Sequence, residues 1–173
     1  YGFVYSNLLK SINQTDSSVA ISTNVNSNIT IDNIGNYYAL VIGNNKYEYW
    51  STLDAAVNDA REIAQILESK YNFTVTSLID ADRDEIMNAI FDMRENLTAN
   101  DNLLIYFAGH GELDKKAERG YWIPIDGDLN KPTKWISNQY IIDQLKASEA
   151  KHIMVITDSC FSASLMRGKT ENN

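Results

Sequence analysis

Apolar and polar positions along this chain follow two periods, one of about two residues and one of about 3.6, and the switches between them mark out the elements. Tyr37 to Ile42 is a continuous apolar run closed by Gly43, the pattern of a strand covered on both faces. Asp54 to Tyr71 carries Val57, Ala60, Ile63, Ala64 and Leu67 at helical spacing. Phe73 to Ile79 alternates through Val75 as a second strand. Asp80 and Asp82 are cap candidates for a helix through Ile86, Ala89, Ile90 and Met93. Leu103 to Ala108 predicts a third strand ended by Gly109, and Ile153 to Thr157 a fourth. Between them lie a long polar region from Gly111 to Lys134, with an apolar island at Tyr121 to Ile125 broken by Pro124, and a third helix over Ser137 to Ala147.

Strands alternating with helices predict an α/β fold: a mostly parallel, doubly wound sheet with helices on both faces. Residues 1–36 differ. They are rich in Ser, Asn and Thr, and Val19, Ile21, Val25, Ile29 and Ile31 all fall on odd positions. That periodicity fits an edge strand or hairpin leaning on the main domain, and the composition fits a polar linker from an upstream module equally well. The chain therefore divides into an extension or linker over 1–36, the domain proper over 37–165, and a polar tail over 166–173.

In such sheets the functional site lies off the carboxyl ends of the strands, near a switch in strand order. His110, one of two histidines, sits just past the third strand, and Cys160, the one cysteine, just past the fourth. If those strands are neighbours they run about 4.8 Å apart, and the two side chains leave the same edge. A thiol beside an imidazole can lose its proton and attack a carbonyl. The oxyanion that forms needs preorganised donors, for which the backbone N–H groups of Gly111 and Cys160 are candidates. The loop Asn44 to Leu53 opens on the same edge. His152 starts the fourth strand, at the opposite edge, and is set aside.

Composition acts mainly by exclusion. Lys and Arg number 15 against 23 Asp and Glu, a net charge of -8. Nucleic acid, which requires a basic face, is not the expected partner, whereas basic peptides are compatible with this balance. No apolar stretch approaches the ~20 residues that span a bilayer, so no membrane partner is expected. No Cys/His cluster has zinc spacing and no glycine pattern suits a phosphate or dinucleotide loop; neither metal nor cofactor is expected. A single free thiol suits a reducing, cytoplasmic compartment. Tyr1 in place of Met reads as a processed or truncated start.

Four segments, in order, carry a family resemblance: Tyr38-Ala-Leu-Val-Ile-Gly-Asn44, Leu53-Asp-Ala-Ala-Val-Asn-Asp59-Ala60, Tyr106-Phe-Ala-Gly-His110-Gly111 and Asp158-Ser-Cys160-Phe-Ser162. Over about 37–164 the chain resembles the large-subunit region of the caspase-like cysteine peptidases, nearer to metacaspases, paracaspases and bacterial relatives than to animal caspases. The interval of 50 positions from His110 to Cys160 is about that of caspases. The resemblance implies a three-layer fold, a Cys160/His110 dyad, and hydrolysis of peptide bonds in a regulated or signalling role. A caspase-like scaffold that binds protein partners without catalysis is the alternative. Animal caspases carry Gln-Ala-Cys-Arg-Gly at the nucleophile and cut after Asp. Here Asp158 stands two residues before the cysteine, and Asp59 matches a second pocket acid of metacaspases and paracaspases. Two converging carboxylates imply a primary pocket for Arg or Lys. Phe161 and Ala163 depart from the His and Gly common in metacaspases.

The family's domain continues into a small subunit. The resemblance thus implies that the small-subunit strands lie outside this chain, supplied by a separate polypeptide or a C-terminal continuation, and that the stretch with Arg167 and Lys169 is a processing linker. Some metacaspases are calcium-activated. No calcium loop motif is identifiable here, so calcium activation stays open.

Overall fold

The structure is a computed structural model of the chain, and it describes residues 3–5 and 35–159. The strand periodicity over 19–31, Cys160 and the 166–173 tail lie outside the described residues.

Among the described residues, eight strands and three α-helices follow in the order β1 (Phe3–Tyr5), β2 (Asn36–Gly43), α1 (Ala56–Tyr71), β3 (Thr74–Ile79), α2 (Arg83–Asn96), β4 (Asp101–Ala108), β5 (Gly111–Asp114), β6 (Arg119–Trp122), β7 (Ile136–Ser137), α3 (Asn138–Lys146) and β8 (His152–Asp158). The main sheet runs β1-β8-β4-β2-β3. Its β8, β4, β2 and β3 are parallel, and β1 pairs antiparallel with β8. The expected α/β architecture, with helices on both faces of a mostly parallel sheet, is the one observed.

Strand parity divides the core. Leu40 and Ile42 of β2 and Leu103, Ile105 and Phe107 of β4 pack with Ile86 and Ile90 of α2 and Ile141 of α3. The intervening Ala39, Val41, Tyr106 and Ala108 pack with Ala56, Ala60 and Ala64 of α1. The continuous apolar runs follow from this: both faces of β2 and β4 are covered. Two of the helices carry side-chain caps, α2 at the expected Asp82. Asp82 and Glu85 form a reciprocal capping box, each bond 2.9 Å, and the Ser137 hydroxyl accepts the Tyr140 N–H at 3.1 Å. Asp80, the other cap candidate, does different work at the site. No helix among the described residues is long and apolar enough to cross a membrane.

The region from Gly111 to Lys134 departs from the expected irregular stretch. It contains the hairpin β5–β6, extended by β7 into a second, three-stranded sheet. Trp122 stacks on Phe107 at 4.5 Å between ring centres and 3° between planes, so the hairpin is closed onto the α2/α3 face of the main sheet. The polar tip residues hid its short strands.

Small residues let α1 approach β2. A Cβ on Gly43 would lie 2.6 Å from Ala60 Cβ and 2.7 Å from the Ala56 carbonyl oxygen. Gly43→Ala therefore pushes α1 outward and costs about 1–3 kcal/mol, expected as a fall of several degrees in the melting temperature. An unchanged melt would show that the helix is not held this closely.

At the far end of the sheet, the buried Asp101 carboxylate accepts from the Thr98 N–H and hydroxyl, each at 2.8 Å, and from Asn36 Nδ2 at 2.8 Å. The Thr98 N–H, foremost, and then the Asn36 amide hold its carboxyl below the ordinary aspartate range. The charged form is the one stabilised, so its contribution is full above the unfolded value of ~3.9 and is lost as the pH falls below it. Thermal melts at descending pH should show this loss, and Asp101→Asn should start less stable at pH 7 and fall less steeply.

Candidate active site

The loop after β2 is held by a polar network. Asn44 is fully buried, and its side-chain amide makes a bridge to the backbone of Ala81: Oδ1 accepts the Ala81 N–H at 2.9 Å and Nδ2 donates to the Ala81 carbonyl at 3.2 Å. Asp80, at φ 51, accepts the N–H groups of Asn45 at 2.7 Å and Lys46 at 2.9 Å. Asn45 Oδ1 in turn accepts the Val57 N–H at the start of α1. These bonds tie the loop, β3 and α1 together at the carboxyl edge of the sheet.

His110 lands against that loop. Its backbone N–H donates to the Tyr47 hydroxyl at 2.8 Å, and its ring lies 4.6 Å from the Tyr47 ring and 5.4 Å from that of Trp50. Burial, foremost, holds the Tyr47 phenol well above the usual tyrosine range, so it stays neutral and available as an acceptor. Gly109 is needed here, because a Cβ would stand 2.5 Å from the Tyr47 oxygen. The Nε2 atom of His110 lies 2.8 Å from the Ser51 carbonyl oxygen. A carbonyl only accepts, so Nε2 carries the proton and, in the neutral ring, Nδ1 is the nitrogen with the lone pair.

Gly111 follows in β5, opposite Trp122. The Ile123 N–H donates to the His110 carbonyl at 3.0 Å, one pair earlier. Antiparallel ladders alternate hydrogen-bonded and non-bonded pairs, so the Gly111 N–H points away from β6.

β4 and β8 are neighbours, with Ala108 opposite Asp158 and the Gly109 N–H donating to the Asp158 carbonyl at 3.3 Å. His110 is two residues past Ala108, and Cys160 is two residues past Asp158 in sequence. Asp158 is exposed at the end of β8. It has the parity of Ile156, which packs on the α1 face. Asp59 is half-buried in the first turn of α1 itself. The two acids act on one group: the Tyr106 phenol is pushed up to about 12, first by burial and then by the negative charges of Asp158 and Asp59. His152, at the amino end of β8, bonds Asn102 Oδ1 at 2.8 Å, away from this edge. Among the described residues, no three His, Asp or Glu side chains converge as metal ligands.

A family model, the peptidase C14 caspase domain, matches residues 36–173. The chain belongs to the caspase-domain family. This caspase domain is similar in structure to a protein from Geobacter sulfurreducens, with TM-score 0.60 and 22% identity over 72% of this chain and 50% of that one. It is also similar to the Drosophila initiator caspase Dronc, with TM-score 0.55 and 12% identity over 80% of this chain and 56% of that one. At these identities the likeness is one of fold. The chain spans about half the length of these solved structures. The comparison with curated proteins returns no match.

Tyr47, Trp50 and Ser51 were not legible as partners of His110. The available signal was the aromatic run at 47–50 in a loop leaving the same sheet edge.

Proposed function

We propose that this caspase domain is a cysteine endopeptidase that cleaves after Arg or Lys. His110 Nδ1 takes the proton of the Cys160 thiol, and the thiolate attacks the scissile carbonyl. The N–H groups of Gly111 and Cys160 hold the oxyanion. As the tetrahedral intermediate collapses, the imidazolium gives its proton to the departing amine. Water, deprotonated by the same imidazole, then releases the acyl group and restores the thiol. Asp59 and Asp158 receive the cationic side chain. The observation that carries this reading is the in-register pairing of Ala108 with Asp158 on adjacent parallel strands, which starts the two dyad positions from one row of the sheet. The shared influence of both acids on Tyr106 supports the pocket.

The test is a panel of fluorogenic peptides with Arg, Lys or Asp before the cleaved bond, assayed on the longest parent chain that expresses. Turnover is expected for Arg and Lys only, and is lost in Cys160→Ala. Cleavage confined to Asp would refute the pocket assignment, and full activity in Cys160→Ala would refute the mechanism.

A further inference from the structure

Beside His110, three aromatic side chains form a row that the dyad does not use. Trp50 lies 5.4 Å from the imidazole. Trp135 meets Trp50 edge-on at 6.0 Å, and Tyr121 meets Trp135 edge-on at 5.5 Å. The core aromatics Phe107 and Trp122 are 0% and 1% exposed, but all three members of the row are only half-buried. Each of the three therefore keeps part of its ring at the surface. The row is firmly mounted, because Trp135 Nε1 donates to the Asp128 carbonyl at 2.7 Å. Trp50 adjoins Ser51, the residue that holds Nε2. The Trp50 indole N–H, in contrast, is shut off from water with no hydrogen-bond partner among the described residues. A buried indole donor normally finds an acceptor. Tyr49 and Lys134, the chain neighbours of Trp50 and Trp135, line a groove of about 410 Å³.

We infer that this row is the subsite for the substrate segment following the cleaved bond, and that it selects an apolar or aromatic residue in the first position of that segment. The inference rests on the endopeptidase reading above, because it takes His110 as the proton donor to the leaving amine. The side chain before the cleaved bond goes to Asp59 and Asp158 on the α1 face. The amine must pass the imidazole that protonates it, so the residue it carries is delivered to the aromatic rings packed on that imidazole; of these Tyr47 is buried, and Trp50 is the one that leads to the surface. Aromatic walls reward apolar and aromatic side chains through buried area and edge-to-face contact. A Gly in that position forfeits both, and an Asp must also be desolvated.

Tryptophan fluorescence of the full chain, titrated with short peptides that have a free amino terminus, tests this without turnover. Peptides led by Phe, Gly and Asp have the chemistry of the leaving product. The Phe-led peptide is expected to bind about 10-fold more tightly than the Gly-led one, with Asp weakest. Trp135→Ala should bring the Phe-to-Gly ratio close to one; if that variant fails to fold, Tyr121→Ala should lower the same ratio. Equal affinity for all three peptides, or a preference untouched by either variant, overturns the inference. A chain that prefers the Phe-led peptide but leaves every Arg substrate intact refutes the endopeptidase reading and keeps the row. One that cleaves Arg substrates and binds the three peptides alike refutes the row alone.

Discussion

Replacing His110 with alanine is expected to lower kcat/KM on an Arg-containing peptide by about 10³–10⁴-fold, the scale on which nucleophile–base pairs fail when one member is removed. The geometry makes the loss specific to chemistry. The backbone N–H of residue 110 keeps its bond to the Tyr47 hydroxyl, and the lost side chain is half-exposed, so the melting temperature should change little. What disappears is the nitrogen opposite Nε2. With Nε2 tied to the Ser51 carbonyl at 2.8 Å, the ring presents Nδ1 in fixed orientation, and no other described side chain at this edge offers a comparable base. Alkylation of the thiol provides a second readout. Iodoacetamide should label wild-type chain at pH 6 faster than His110→Ala, because an ordinary thiol is almost wholly protonated there. A variant that keeps a tenth of the activity, or an unchanged labelling rate, would show that another group serves as base.

Asp158→Asn is expected to reduce kcat/KM for Arg substrates by about 10- to 100-fold, the equivalent of one charge-assisted hydrogen bond of ~1.5–3 kcal/mol. Asp158 has the strand parity of Ile156 on the α1 face, its charge and that of Asp59 both raise the Tyr106 phenol, and the change keeps its size while removing its charge. The discriminating measurement compares Arg with citrulline, its neutral near-isostere, before the cleaved bond. Wild type should strongly prefer Arg, and the variant should have lost most of that preference. An equal fall on both substrates would move Asp158 out of the pocket and into general support of the site. Asp59→Asn should act in the same direction, and the double variant should fall short of the product of the two effects, because both groups serve one cation.

Much of the scaffold could be read from residue order. The runs Tyr37–Ile42 and Leu103–Ala108 had to be strands covered on both faces, and the spacing of Ile86 and Ile90 had to be a helix, because burial of apolar area leaves few other arrangements. The β5–β6 hairpin escaped, since its strands are four residues each, with polar residues on one side and a turn between them. Only the packing of Trp122 on Phe107 shows what holds it. The bonds that Asn44 and Asp80 make were not legible either: Asp80 read as a helix cap candidate and Asn44 as the residue closing a family segment. Their value is set by the backbone groups they meet, 37 and 35 positions away in sequence.

At the site the division is sharper. Local order nominated His110, Gly111 and Cys160, because each chemistry needs a particular residue type at a strand end, and these positions are short-range features; Asp59 and Asp158 came only with the family resemblance. It could not say that β4 and β8 are neighbours, that Asp59 on a distant helix faces Tyr106 from the same side as Asp158, or that a main-chain carbonyl, which any residue at position 51 would supply, chooses the tautomer of His110. Those depend on strand order, on strand parity and on the close seat of α1 against Gly43. They are set by how the apolar faces pack together, and packing joins residues that the chain itself holds far apart.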